Sequence, residues 1–439
     1  MSSPFLNRRL WASACLLTLG ALLGGCGTKD DSGDSSTTGT VRLVNATTQR
    51  AAVGLLIDGV SQETGLARDG LSATYRLSAG AHSIAITDSS GSALTSTSPT
   101  IAAGSATTLV AWTGDNNTVN YLSIDDLESV PAAGRAKLLV FNAARDAGTL
   151  DVHLTPVADT LSDSPLLGNL APGKGTAGYT TVNAGQHRLR LLKAGSVLAN
   201  DVRLDTTVTL ADGGVNALVI TPTTGGVLAH ALLLKPATAV TALNNTQARV
   251  RLVSALPTNL SLTGSANGTT LPTLGGSPAI GPYTLVPAGT SAPQVTVNGG
   301  TVTGASWTAA AGSDTTLFVW GATASPQLSA LSDDNRLPSS TSAARVRLVH
   351  GLSNIAQDLT LNVASAPVTT ATPGTVSPVT AIAAVTDTTL SVTNAITSAS
   401  VYQLDGKTLD AGAVYSVFLL GDSRLTVGNG LISSVVKER

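Results

Sequence analysis

Cysteine is nearly missing from this chain. Its two copies, Cys15 and Cys26, both fall near the start of the 439 residues. The remainder can therefore build neither a disulfide framework nor a cysteine metal site. Glutamate occurs only at Glu63, Glu128 and Glu438. Paired carboxylates of a glycosidase would have to come from aspartates, and most of these sit in turn-like Asp-Gly or Asp-Asn contexts. Charge is sparse and nearly balanced, with 25 basic against 27 acidic residues. No basic cluster interleaved with aromatics is present, which excludes a nucleic-acid surface. Aromatics make up 3% of the chain, a thin supply for sugar-stacking platforms. No long apolar run follows the N-terminal segment, so no membrane-spanning helix is expected there.

What is abundant is Thr, Ser, Val and Gly. β-Branched residues with few charged helix formers favour strands over helices. Short alternating runs such as Val41-Arg42-Leu43-Val44 and His187-Arg188-Leu189-Arg190-Leu191 are bounded by Gly, Asn and Asp. The expected fold class is all-β.

At the N-terminus, Arg8 and Arg9 precede an apolar stretch, Leu10 to Leu23, and then Gly24, Gly25 and Cys26. A charged start, a short apolar run and small residues make a secretory signal. A cysteine directly after Leu23-Gly24-Gly25 resembles the bacterial lipoprotein signal, the lipobox. The resemblance implies cleavage before Cys26, a diacylglycerol on its sulfur and a fatty acid on its new amine. Three acyl chains would anchor the protein permanently, where one would not. Gly27 follows in place of the aspartate that often retains lipoproteins at the inner membrane, so the expected site is the outer membrane, with the face left open. Residues 27–39, GTKDDSGDSSTTG, carry no large apolar side chain and read as a flexible tether.

The rest of the chain repeats itself. A strand ending in a small residue recurs as Val41-Arg-Leu-Val-Asn-Ala46, Leu138-Leu-Val-Phe-Asn-Ala143, Val250-Arg-Leu-Val-Ser-Ala255 and Val346-Arg-Leu-Val-His-Gly351. A tyrosine before an Ala-Gly pair recurs at Tyr75, Tyr179 and Tyr283, and is lost from the fourth copy. An Ala-Gly turn feeding an apolar strand recurs at Ala103-Gly104, Ala311-Gly312 and Ala411-Gly412, with a variant from Ala211 to Ile220. The interval from Trp112 to Trp320 also separates Asp125-Asp126 from Asp333-Asp334. Each copy has the size of an autonomous β-sandwich, of about a hundred residues. The expected organisation is a signal peptide at 1–25, a lipidated tether at 26–39, and four tandem immunoglobulin-like β-sandwich domains at 40–130, 135–240, 247–337 and 344–439. Linkers rich in Pro, Ser and Ala, around 130–134, 239–247 and 338–343, predict beads in a row that bend at each joint.

Together these residues resemble the family catalogued as domain of unknown function 4397. The features are the Arg-Val-Arg-Leu-Val-His strand, Ile57-Asp58-Gly59 after an apolar strand, the tyrosine, an Ala-Gly-x-His turn and a late apolar strand. Ile57-Asp58-Gly59 has no clear copy in the third unit. The resemblance implies extracytoplasmic, often tandem domains on lipoproteins, and supplies no catalytic residue.

Several motifs suggest chemistry. Gly173-Lys-Gly-Thr-Ala-Gly178 fits G-x-G-x-x-G and overlaps a near P-loop. Phosphate binding there needs a strand before and a helix after. Pro172 precedes it, a strand pattern from Tyr179 follows, and Gly175 stands where the P-loop hydroxyl belongs. A repeated turn without nucleotide is the expectation. His82 and His187 sit at equivalent places after Ala-Gly turns, while His153, His230 and His350 stand alone with no second ligand three or four residues away. Asp115-Asn116-Asn117, Asp125-Asp126 and Asp333-Asp334-Asn335 are the candidates for calcium, which takes six to eight oxygens; the other reading is a solvated acidic linker. No G-x-S-x-G elbow occurs. The sequence thus points to a non-enzymatic envelope protein without cofactor or metal, held to the membrane by its lipid and meeting an envelope protein or glycan. The alternatives are a glycan- or calcium-dependent binding module and, after it, an enzyme with a site assembled between repeats.

Overall fold

A computed structural model describes residues 37–439, apart from 49, 162–165 and 236–238. The lipobox residues Leu23, Gly24, Gly25 and Cys26, the signal peptide and nearly all of the tether lie outside the described residues. The chain is all-β, and among the described residues it contains no α-helix, only three short 3-10 turns. It forms four tandem immunoglobulin-like sandwiches.

In the first unit, one sheet runs Val119–Asp125, Ala106–Thr113, Thr38–Ala46, Tyr75–Ser78. The facing sheet runs Val60–Ala67, Ala52–Ile57, Ile84–Thr87, Ala93–Thr97. Each unit opens with the landmark strand, which lies parallel to the late apolar strand of the same unit. Arg42 faces Thr108, Leu139 faces Ala217, Arg251 faces Thr316 and Arg347 faces Ser416.

Side chains on a strand alternate between faces. Val41 and Leu43 therefore enter the core of the first unit with Val53, Leu55, Ile84 and Leu109. Their neighbours Val44 and Ala46 point the other way, yet they are equally buried. They meet Phe141, Ala143, Val219 and Leu232 of the second unit in a shared apolar core. The third and fourth units repeat the arrangement, with Val253, Ala255 and Phe318 against Val349, Phe418 and Leu420. A strand buried on both faces reads as a near-continuous apolar run, and this is why the landmark is so apolar.

The units are therefore not beads in a row. Sandwiches one and two form one back-to-back pair, and three and four form another. The joints are ordered as well. Ala239–Leu243, within an expected linker, is a fifth strand beside Ala229–Lys235. Asn245 follows it, buried, with its side-chain amide donating to the carbonyls of Arg203 and Ala229. The joint between units three and four is tied to units one and two: Leu337 N donates to Asp146 Oδ1 at 3.1 Å and Asn116 N to the carbonyl of Ser339 at 2.8 Å. Composition suggests flexibility at these joints, but hydrogen bonds from backbone and side-chain amides hold them in place.

The turn Asp58-Gly59, with both residues at positive φ, has its counterpart in the third unit after all. Asn267-Gly268 adopts the same conformation between Ala266 and Thr269. Asn-Gly and Asp-Gly serve the same tight hairpin.

Candidate functional site: the junctions between paired units

The opening strands place an arginine at the second landmark position in units one, three and four. Each Nε donates to a hydroxyl on the parallel partner strand: Arg42 to Thr108 at 2.6 Å, Arg251 to Thr316 at 2.8 Å and Arg347 to Ser416 at 2.7 Å. The threonine passes the contact on. Thr108 Oγ1 donates to Asp126 Oδ2 at 2.7 Å, and Thr316 Oγ1 to Asp333 Oδ2 at 2.5 Å. In the second unit Leu139 and Ala217 replace the polar pair. The one–two junction thus holds one buried arginine, and the three–four junction holds two.

Charge balance follows this count. Arg42 has Asp126 at 3.3 Å. Arg347 has Asp333 at 3.3 Å, which also lies 3.7 Å from Arg251. The second arginine recruits a second acid from the end of the chain: Glu438 accepts from Arg251 at 2.9 and 3.1 Å and from Arg347 at 3.4 Å. Tyr283 lies under the Arg249 and Arg251 guanidiniums, 4.3 and 4.4 Å from its ring centre. Its hydroxyl donates to Asp333 at 2.7 Å.

The two equivalent aspartates respond in opposite directions. Burial raises the Asp126 carboxyl above its ordinary value, and Thr108 and the single arginine do not overcome it. Burial pushes Asp333 the same way, but Arg347 and Arg251, with hydrogen bonds from Thr316 and Tyr283, outweigh it and hold Asp333 below the usual range.

This geometry assigns the acids considered for calcium. Asp126 and Asp333 are ion-paired inside the junctions. Asp334 takes Arg336 and Arg345, at 2.8 and 2.6 Å. Asp125 Oδ1 accepts from Leu127 N, and Asp115 pairs with Arg145. Among the described residues no three His, Cys, Asp or Glu side chains gather in a metal-binding group. The tyrosines form no surface row: Tyr75 donates to the carbonyl of Gln62, Tyr179 packs in the one–two core, and Tyr283 belongs to the three–four network.

His82 and His187 have a shared role. Their Nε2 atoms reach the carbonyls of Ser78 and Asn183, four residues back, at 2.8 and 2.9 Å. Each closes its Ala-Gly turn, and Asp58 also holds His82 at 2.6 Å. His350 bonds to the carbonyl of Gln357 and His230 accepts from Asn245 N, while His153 is buried in the second unit.

The glycine loop is a receptor for an aromatic ring. No helix follows Gly178; the strand Thr180–Asn183 does. Gly173 has φ +73°, and a Cβ there would sit 2.5 Å from the Trp112 ring of the first unit. Trp112 also meets Phe141 edge-on, with centroids 5.6 Å apart. The other pair repeats the device, because a Cβ on Gly374, at φ +75°, would fall 2.3 Å from Trp320. The small residue ending the landmark strand is explained in the same way: a Cβ on Gly351 would lie 2.6 Å from that of Ala255.

Sequence reasoning passed over the landmark arginines and Glu438. The signal for the first was an arginine recurring inside an apolar strand in three copies of four. Nothing along the chain joins Glu438 to Arg251.

These features define a class: paired, tandem β-sandwiches whose repeated polar residues secure one domain to the next. The chain belongs to the family described as Domain of unknown function (DUF4397), whose model matches residues 39–153 and 248–354. Each match covers one sandwich and runs on through the opening strand of its partner. No curated protein matches the chain. Among solved structures, the Bacillus anthracis TIE protein is similar at 9% identity over 89% of this chain and 69% of that one, with a TM-score of 0.14. A candidate cell adhesion protein from Bacteroides uniformis is similar at 12% identity over 46% of this chain and 99% of that one, with a TM-score of 0.20. At these scores neither likeness carries an argument about function.

Proposed function

We propose that this chain is a non-enzymatic, lipid-anchored protein of the cell envelope, probing or bracing its surroundings with two rigid sandwich pairs. The observation that carries the reading is the use made of the recurrent polar residues. Arginines, aspartates, histidines and tyrosines that repeat between units are consumed in junctions and turns, where a catalytic site would need them free and convergent. The lipobox-like run supports the anchor, and the first strand starts at Thr38, within the last two residues of the expected tether. Exposed edge strands and loops are left for contact with an envelope protein or glycan.

The anchor is tested by Cys26→Ser. The variant should lose fatty-acid labelling and move from the detergent phase to the aqueous phase. A variant that labels and partitions like the parent refutes the anchor. The binding role is tested by crosslinking in intact cells, which should recover a recurrent envelope protein or glycan. Turnover of a substrate by the purified chain, with no such partner, would refute it.

A further inference from the structure

A cleft of about 680 Å³ opens where the second and third units meet the end of the chain. Four basic side chains line it: Lys193, Arg203, Arg249 and Arg439. Two acids line it as well, Asp201 and Glu438. Glu438 is already committed to Arg251 and Arg347, so the cleft keeps an excess of positive charge.

The basic groups are poorly served by protein partners. Arg203 is only 8% exposed; its Nε is closed off without a hydrogen-bond partner, and its Nη edge is the part left to serve the cleft. Its Nη atoms make only long contacts, 3.5 Å to the carbonyl of Asn200 and 3.4 Å to Asp201 Oδ1. Arg249 lies on Tyr283 and has Asp314 Oδ1 no closer than 3.6 Å. Asp314 is itself fully buried, bonded to Asn335 through its other oxygen, and burial raises its carboxyl above the ordinary value. Arg439 is held by two neutral carbonyls, those of Gly226 and Asp146. Burial, and then the charges of Arg249 and Arg439, push the Arg203 guanidinium down to about 10. A buried guanidinium donor left without an acceptor is costly, and an ionised oxygen is the acceptor that serves it best.

We propose that this cleft binds an oxyanion, a phosphate or a phosphoryl group on a larger molecule, with Arg203 and Arg249 as its forked donors and Lys193 at its rim. The planar forks of two arginines suit tetrahedral oxyanions, and a lysine adds a point charge. The site does not depend on the lipid anchor or the envelope role.

The test is calorimetric titration of the detergent-solubilised full chain with inorganic phosphate, at constant ionic strength set by chloride. Saturable binding is expected. It should weaken about tenfold or more in Arg249→Gln, and measurably in Lys193→Gln, which lies at an exposed position and leaves folding intact. Methyl phosphate is the second probe. Retained affinity assigns the site to a phosphoryl group on a larger molecule, and lost affinity to the free anion; both uphold it. Absence of saturable binding to the parent up to about 10 mM overturns the proposal, as does binding that neither substitution changes.

Discussion

Replacing Glu438 by glutamine should destabilise the three–four pair out of proportion to its place one residue from the end of the chain. The Arg251 and Arg347 side chains it serves are 3% and 0% exposed. With the acid removed, two buried guanidiniums share Asp333 alone. Breaking a buried ion pair from one side costs about 3–5 kcal/mol. Glutamine keeps one acceptor oxygen, and Asp333 remains, so the expected loss is about 2–4 kcal/mol. For a pair of sandwiches of this size each kcal/mol moves the midpoint by about 2–4 °C. Denaturant unfolding of the full chain reads the effect as an earlier transition for one pair of sandwiches, with the other unmoved. Arg347→Met in the Glu438→Gln background should recover part of the loss, because it restores the balance of charge. A loss below about 0.5 kcal/mol, as for an ordinary surface position, would refute the account of the junction.

The aspartates predict a difference in acid response. Asp333 has a lowered folded pKa, so its stabilisation is present above the unfolded value and is lost as pH falls through the folded one. Asp126 has a raised folded pKa, so its contribution improves as pH falls through that value. Stability–pH curves of Asp333→Asn and Asp126→Asn should therefore lose slopes of opposite sign, and equal slopes would contradict the assignment. Gly374→Ala should cost about 2 kcal/mol or more, from a left-handed backbone and from displacement of Trp320, and should red-shift tryptophan emission as the ring leaves its seat. A neutral result would show that the ring does not rest there. Residues 247–439 should melt cooperatively as a monomer, whereas 247–337 alone exposes Val253, Ala255 and Phe318 and should self-associate on ultracentrifugation. A monomeric, stable single unit would return the molecule to independent beads.

The all-β class and the repeats were legible because both rest on local pattern. β-Branched residues, alternation in the opening strands and turn residues such as Asp58-Gly59 act within a few neighbours. The turn role of the glycine loop was legible for the same reason, since a strand pattern follows Gly178 where a phosphate site needs a helix. Reading Asp58-Gly59 too literally hid its Asn267-Gly268 counterpart, which has the same backbone preference in different letters.

The pairing of sandwiches was written in the sequence but could not be read from it alone. An apolar landmark such as Val41-Arg42-Leu43-Val44 satisfies one core on one face, and nothing along the chain says whether a neighbouring domain, a partner or solvent meets the other. The joints misled for a related reason. Pro, Ser and Ala describe segments that build no core of their own, yet Asn116 and Asp146 supply bonds that hold one such segment still. The sequence by itself determined that this chain makes repeated β-sandwiches, because strand and turn propensities are short-range. Only the tertiary structure decided which faces close on one another, that Trp112 rests on Gly173, and that Glu438 neutralises Arg251 and Arg347. Those contacts join residues far apart in the chain, and their energies exist only once charge and apolar surface have been brought out of water together.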